Sequence, residues 1–441
     1  MLHALLKGRL GRGVAVLAGG TVTAQAIVLL AAPLLTRLYT PEDFGVLGVF
    51  SGLLGLLGLA VCLRYEIAVP LAEDDVTMVN LVALAALAAL LVSSIVGLGL
   101  WLFGATLVGW LDAAALAPWL WLLPPALLAM GGFTAFNHWA IRRQAFGRMT
   151  RIRLTQSIGS VAVQIGVGVA GGGVAGLLLG HVVGQTAGVG GHAIAFWRHE
   201  RRLLRKVRPR RMLAAAARFR SLATLGASGA LLNGGSRLLP AVFIAAIYGV
   251  QTAGLFVLTQ RVLGAPMRFL GTAVAHVYLS EAPRLTREDR PAMIRLFTHT
   301  TRRLLAVAAV VVLVVVVAGP TVFALVFGDP WAESGVFARF LATMYLAQLV
   351  VSPISQTLTI LGRQGLLLLW EIGRITGVLL VFAAAVQFAW SPRLTVAALG
   401  ALVSAAYLIL FLLTRRLLHA SATLPPEAKG PAGCTDIAPG R

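Results

Sequence analysis

The sequence predicts an all-α polytopic membrane protein: twelve transmembrane helices arranged as two parallel six-helix repeats around a central cleft, with the N and C termini cytoplasmic. Three observations lead there. Of 441 residues, 58% are hydrophobic and 12% are charged, and the mean hydropathy is +0.87. A soluble chain carries roughly twice that share of charge, so a soluble enzyme, which needs a charged surface, is excluded. The second observation is a series of apolar runs, each long enough to cross a bilayer. The third is the one-sided placement of Lys and Arg between those runs.

A helix crosses a hydrocarbon core ~30 Å thick in about 20 residues. Lys7, Arg9 and Arg12 precede the first run, near 14–35. It is longer than the apolar part of an export signal and has no clear small-residue cleavage site, so it reads as a retained helix. The second run, near 44–63, carries Gly45, Gly48, Gly52 and Gly55 on one face, a surface for close helix packing. The third and fourth, near 77–105 and 118–138, flank a stretch in which Trp101, Trp110, Trp119 and Trp121 read as an aromatic belt around a short outer loop holding Asp112. The fifth, near 154–170, bears Gln156, Ser160 and Gln164 at four-residue steps. The sixth, near 174–196, continues a glycine every fourth residue (Gly172, Gly176, Gly180, Gly184, Gly188), a packing face rather than a phosphate loop. His181, Gln185 and His192 share a stripe there; without a third ligand they read as hydrogen-bonded side chains, not metal ligands. Six more runs follow, near 222–247, 253–279, 303–327, 335–360, 366–388 and 394–414.

With the N-terminus cytoplasmic and twelve alternating crossings, thirty of the 37 Lys and Arg fall on the cytoplasmic side and only Arg37, Arg339 and Arg393 on the outer side. That is the positive-inside asymmetry, and an odd number of crossings would scramble it. It also accounts for the net charge of +21, which otherwise suggests a nucleic-acid binder. The basic stretch Arg198–Arg220 almost lacks interleaved aromatics, so it is expected to fix orientation and touch anionic headgroups, not nucleic acid. Cys62 and Cys434 are too few for a disulfide framework.

That stretch sits at the midpoint of a repeat. Tyr39 and Gly45 lie 209 residues before Tyr248 and Gly254; Tyr65, Pro70 and Asp75 lie 213 before Tyr278, Pro283 and Glu288; Arg143-Gln144 recurs as Arg363-Gln364. The expected organisation is an N-terminal six-helix lobe over 1–197, a basic linker over 198–221, a C-terminal lobe over 222–415 and a disordered tail over 416–441. Six crossings per half make the repeats parallel, a geometry that encloses a cleft able to open to either face.

Four arginines remain inside the runs: Arg237, Arg261, Arg268 and Arg374. Each costs roughly 2.5–3.5 kcal/mol at mid-membrane unless it meets water, a carboxylate or an anion. Arg261 and Arg268 are seven apart and share a face; Arg237 lies beside Asn233 and Ser236; Glu371 and Arg374 are three apart and can pair. Arg268, nearer the cytoplasmic end, is within snorkelling reach of the interface. The expectation is a cavity in which Arg237, Arg261, Arg268 and Arg374 hold an anion and Gln25, Gln156, Gln164, Asn233 and Gln356 supply polar lining. Thr21 beside Gln25, and Ser352, Ser355 and Thr359 beside Gln356, extend it. Glu371, the only acid expected to be buried, is a candidate for ion coupling. No metal or cofactor is expected.

Leu35-Thr36-Arg37-Leu38-Tyr39-Thr40-Pro41-Glu42-Asp43-Phe44-Gly45 resembles the first outer turn of bacterial polysaccharide flippases, the Wzx-like branch of the multidrug/oligosaccharidyl-lipid/polysaccharide exporter superfamily. Leu63-Arg64-Tyr65-Glu66-Ile67-Ala68-Val69-Pro70-Leu71-Ala72 is similar to their first cytoplasmic loop. The motif likeness covers residues 35–75. It implies alternating-access transfer of an undecaprenyl-pyrophosphate-linked oligosaccharide across the bacterial cytoplasmic membrane for O-antigen-type surface polysaccharide, with a polysaccharide polymerase and a chain-length regulator as partners. The cavity arginines would then meet a pyrophosphate bidentately. Arg37, Arg64 and Glu66 match motif positions; they are expected to cap helix ends, Arg64 and Glu66 pairing locally. Two rivals remain: a cation-coupled drug exporter of the same superfamily, which usually needs buried acids, and a membrane enzyme, which needs acid or nucleophilic groups on outer loops, where Asp112, Asp329 and Glu333 are the main acids.

Overall fold

The computed structural model describes residues 9–110 and 113–423. Lys7, Asp112, Cys434 and the tail beyond Thr423, expected to be disordered, lie outside the described residues. Among the described residues every regular element is a helix.

The first run is α1 (Arg9–Leu30) and α2 (Ala32–Leu38), stepped at Ala31 just before Pro33. The second, α3 (Pro41–Gly58), starts three residues earlier than its apolar run because Thr-Pro-Glu-Asp is a helix start. Asp43 N–H donates to Thr40 Oγ1 at 3.2 Å and Thr40 N–H to Asp43 Oδ2 at 3.0 Å, with Pro41 at the first helical position. Leu63 and Arg64, both left-handed (φ 49° and 61°), turn the chain into the 3₁₀ segment Tyr65–Leu71. Next come α4 (Asp75–Trp110), the 3₁₀ segment Ala114–Leu122, α5 (Leu123–Arg142) and α6 (Phe146–Val169). The sixth run is broken at Gly188 (φ 103°) into α7 (Val174–Thr186) and α8 (Val189–Leu204). The basic linker folds as α9 (Pro209–Arg218). The second half holds α10 (Ala227–Thr259), α11 (Ala265–Glu288), α12 (Arg290–Phe327), α13 (Ala332–Ile354), α14 (Gln356–Ile360), α15 (Gln364–Gln387) and α16 (Pro392–Thr423). The ninth run begins thirteen residues earlier than its apolar part because Asp289 caps α12, accepting from Ala292 N–H at 2.9 Å.

Ten helical stretches are long and apolar enough to cross a membrane. Two features hold that number below the twelve runs. Arg148, Arg151 and Arg153 make the start of α6 too polar, and Leu222–Thr286 counts once although the chain reverses at Gly249 (φ 83°, ψ 162°) inside α10. The reversal shows along α3. A Cβ on Gly45 or Gly48 would meet Val250 and Val257 in ascending order, whereas one on Gly52 or Gly55 would meet Val242 and Leu238 in descending order. Only glycine takes that backbone at residue 249 without strain.

The two glycine faces pack as expected, each against a different partner. Gly180 and Gly184 of α7 lie on Gln164 and Ser160 of α6, and Gly188 lies on Ile152. The α3 face instead joins the two halves. Gly45 lies on the Val250 carbonyl and Gly254 on the Pro41 carbonyl, each so near that no side-chain carbon fits. These positions have the 209-residue spacing of the sequence matches (Pro41 with Val250, Gly45 with Gly254). At the same end of the bundle Trp331 Nε1 donates to the Thr36 carbonyl at 3.2 Å and its ring meets Phe44 edge-on at 4.9 Å. Tyr39 Oη donates to the Gln164 carbonyl at 2.5 Å, and its repeat equivalent Tyr248 to the Trp390 carbonyl at 3.0 Å.

The opposite end is tied by charge. Arg142 and Arg143 reach Asp75 at 3.4 and 3.0 Å, and Arg143 also reaches Glu200 at 2.8 Å. Glu200 is 2% exposed and accepts from Trp139 Nε1 at 3.0 Å. Glu200→Ala leaves a buried indole N–H without its acceptor and takes one carboxylate from Arg143, which keeps Asp75 and some solvent. The expected loss is about 2–3 kcal/mol of stability, read as a lower unfolding midpoint of the purified protein; a midpoint equal to wild type would contradict it.

Candidate functional site

Two of the membrane arginines approach each other within the second half. Arg237 of α10 lies within electrostatic reach of Arg268 of α11 and of Tyr407 of α16. It is exposed, as is Asn233 one turn before it. Arg268 does not snorkel toward the basic end as its position suggested. Its guanidinium folds back one turn to Gly264, beside Tyr345, whose ring is buried. Arg261 sits in the π-helical turn Gln260–Gly264, an irregularity often found at functional sites. It faces the other half, close enough to His181 of α7 for the two to feel each other's charge, and His181 in turn meets Phe50 of α3 edge-on at 6.3 Å. Among the described residues Arg237, Arg261 and Arg268 make no ion pair. Arg237 and Arg268 repel each other, a repulsion relieved by water or by an anion.

Arg374 differs. It pairs with Glu371 at 2.5 Å, donates to Tyr407 Oη at 3.2 Å and lies 4.6 Å from the Trp370 ring centroid, while Glu371 also accepts from Asn233 Nδ2. The expectation that Arg374 meets the anion directly is therefore corrected: its charge is already met by a carboxylate and two ring faces. Asn233 joins the same network, bridging α10 to α15.

The polar stripe of the fifth run is also corrected. Gln156 and Gln164 are 8% and 3% exposed and turn to the α7 glycine face. Gln156 Nε2 donates to the Gln185 carbonyl at 3.4 Å. They join helices there because glycine leaves room for them, so they do not line open space. Gln25 and Gln356 are half-buried; the helix breaks at Ser355, after Pro353, which restarts the chain at Gln356 as α14. One cation that sequence reasoning assigned to a loop belongs inside: Arg153, seven residues into α6, donates to Thr21 Oγ1 of α1.

Glu371, expected to be the only buried acid, is half-buried, and two other acids lie deeper. Glu66 is 4% exposed with its Oε2 unpartnered, and Glu200 is buried as described above. Both had been read as loop residues; the 3₁₀ turn after Arg64 swings Glu66 inward, 3.7 Å from the Arg64 guanidinium as the local pairing required. Burial pushes the Glu66 carboxyl up, against its own backbone hydrogen bond and the charges of Arg64 and His138. A raised folded-state pKa means stability that is complete at low pH and falls as pH climbs from the ordinary carboxylate range through the folded value. Glu66→Gln is expected to flatten that falling limb in unfolding midpoints measured across pH; an unchanged slope in the variant would show that Glu66 does not cause it. No group of three or more potential metal ligands occurs among the described residues.

A bundle of long apolar helices is the architecture of a multi-pass membrane protein, and solved structures place the fold. The chain is similar to a multidrug resistance MATE family transporter of the MOP superfamily in its inward-facing conformation, with TM-score 0.71, 15% identity, and 92% of this chain and 99% of the other covered. An outward-facing structure of such a transporter matches with TM-score 0.59 and 16% identity, over 96% and 98%. A MOP superfamily transporter from Pyrococcus furiosus, described as having a binding pocket of reverse polarity that suggests a different function, matches with TM-score 0.58 and 15% identity, over 95% and 98%. No curated protein matches the chain significantly. A family model described as polysaccharide biosynthesis protein matches residues 34–336. The chain belongs to that polysaccharide biosynthesis protein family, in line with its likeness to Wzx-like flippases over residues 35–75.

Proposed function

We propose that the chain flips a lipid-linked oligosaccharide, carried on undecaprenyl pyrophosphate, across the bacterial inner membrane for surface polysaccharide such as O-antigen. The observation that carries this reading is that Arg237, Arg261 and Arg268 have no carboxylate partner among the described residues, with Arg237 and Arg268 within electrostatic reach of each other, inside a polysaccharide biosynthesis family member. A diphosphate supplies the charge these groups lack, and guanidinium forks suit its oxygens. The two six-helix lobes, 1–197 and 222–415, rock about the cleft with both termini cytoplasmic. The pyrophosphate enters near Arg237 and Arg261, sugars rest against Gln25 and Gln356, and the lipid tail stays in the bilayer. The greater likeness to an inward-facing transporter, together with the glycine crossing at the end expected to lie outside, supports reading this conformation as closed to the exterior. Arg374 and Glu371 act as a fixed pair. A polymerase and a chain-length regulator take the product.

Cation-coupled drug export is the second reading. The MATE likeness and the buried Glu66 favour it; membrane arginines without carboxylate partners among the described residues disfavour a cationic cargo. Enzymatic polymer assembly has less support, because Glu333 is engaged with Arg393 at 2.6 Å. Deleting the gene separates the readings. The flippase reading expects lipid-linked glycan to accumulate on the cytoplasmic leaflet with drug tolerance unchanged. Normal surface polymer with raised drug sensitivity would overturn it.

A further inference from the structure

The basic linker builds a second cleft, away from the membrane arginines. It has a volume of about 560 Å³ and lies between the first turns of α4 and the segment 205–218, at the end of the bundle that holds the basic surplus. Arg205, Lys206, Arg208, Arg211 and Arg218 line it with Asp74, Thr77 and Asn80. A solvated run of arginine scatters its side chains; this one is held. Asn80 is 1% exposed, and its amide clamps the linker on both sides. Its Nδ2 donates to the Lys206 carbonyl at 3.5 Å and its Oδ1 accepts from the Arg208 N–H at 3.1 Å. Arg211 folds back to donate to the same Lys206 carbonyl at 3.2 Å.

The charges around the cleft do not cancel. Arg218 is satisfied by Glu73. Asp74 also lines the cleft, but its carboxylate is engaged at the start of α4, where it accepts from Thr77 N–H and Thr77 Oγ1, both at 2.8 Å. Those bonds hold its carboxyl below the ordinary range. Arg205, Lys206, Arg208 and Arg211 make no ion pair among the described residues and remain as four positive charges facing one cleft. The first turn of α9 opens at Arg208 without a side-chain cap, adding the positive helix end.

The helices on either side of the linker turn also expose apolar side chains. Leu213, on the same helix as Arg211, is 70% exposed, and Ile194 and Trp197 on the preceding helix are exposed as well. An exposed Trp followed by a short helix that mixes Arg with exposed Leu is the pattern of a segment lying in the headgroup layer. We propose that this cleft binds the phosphate headgroup of an anionic phospholipid, clamped by Arg205, Lys206, Arg208 and Arg211, with Leu213 and Trp197 in the acyl boundary. The site is distinct from the transport cavity and does not depend on what that cavity carries.

The test uses the full-length protein purified in detergent, with retained lipid counted by native mass spectrometry as phosphatidylglycerol, phosphatidylcholine or inorganic pyrophosphate is titrated. Wild type should retain phosphatidylglycerol over phosphatidylcholine. Arg208→Ala with Arg211→Ala should weaken that retention about thirtyfold, at roughly 1 kcal/mol per basic group. Asn80→Ala, which keeps every charge but frees the linker, should also weaken it. Equal retention by the double variant would overturn the proposal. So would pyrophosphate binding to the cleft with phosphatidylglycerol unable to compete, which would assign the cleft to a soluble phosphate ligand.

Discussion

Replacing Arg237 and Arg261 together by alanine is expected to lower flipping of lipid-linked glycan by about a hundredfold or more while leaving the amount of folded protein unchanged. The magnitude follows from losing two charge-assisted hydrogen-bonding groups at about 1.5–3 kcal/mol each. The unchanged level follows from the same physics with opposite sign. An unpaired guanidinium within the bilayer costs roughly 2.5–3.5 kcal/mol, so its removal does not penalise insertion and is expected to hold or raise the unfolding midpoint. A residue retained for packing behaves the other way, losing stability and activity together. Lysine at both positions should restore part of the activity, because charge returns without the planar fork. Flipping measured in reconstituted vesicles is the decisive assay. Wild-type rates in the alanine pair would remove the anion-binding role and leave transport resting on family membership.

Gly45→Ala with Gly254→Ala should abolish transport by a different route. Each new methyl falls on backbone, on the Val250 carbonyl in one case and the Pro41 carbonyl in the other, and backbone in a packed helix pair does not move aside cheaply. Overpacking of this kind costs about 1–3 kcal/mol per site, here only in the state where α3 and α10 cross. The double variant should therefore favour the state with this end apart. A reporter Thr36→Cys, buried here at 6% exposure beside the Trp331 contact, should react with a membrane-impermeant maleimide at least about tenfold faster than in the otherwise wild-type background, given 1.4 kcal/mol per factor of ten. Wild-type labelling and wild-type transport in the glycine pair would show that the crossing is not what closes this end.

The separation of these two effects reflects what could be read along the chain. Glycine spacing in α3 and α7 was legible because small-residue faces recur at helical period, and both faces pack. Which partner each face takes was not legible: α7 meets its sequence neighbour α6, whereas α3 crosses to α10, some two hundred residues away. The polar stripe of α6 shows the same limit. Gln156 and Gln164 have the period of a cavity wall, but glycines opposite them accept their volume, and they are buried between helices. Glu66 escaped notice because it lies between apolar runs, where loops are exposed by default; two left-handed residues in succession turn it inward. Arg374 and Glu371 paired as their spacing allowed, and Trp370 lies one turn before Arg374 on the same face, but Asn233 and Tyr407 come from two other helices.

By itself the sequence determined that this chain is an all-helical membrane protein and that several arginines lie within its apolar runs, because hydropathy and charge are properties of each segment and lipid enforces them one segment at a time. Only the tertiary structure decided which of those arginines are already paired and which are left facing one another. It likewise decided that Asn80 gathers the linker's cations into a cleft and that two glycines bring the halves into backbone contact. Pairing is a relation between segments distant in sequence, and no local pattern encodes the neighbour that a side chain will meet.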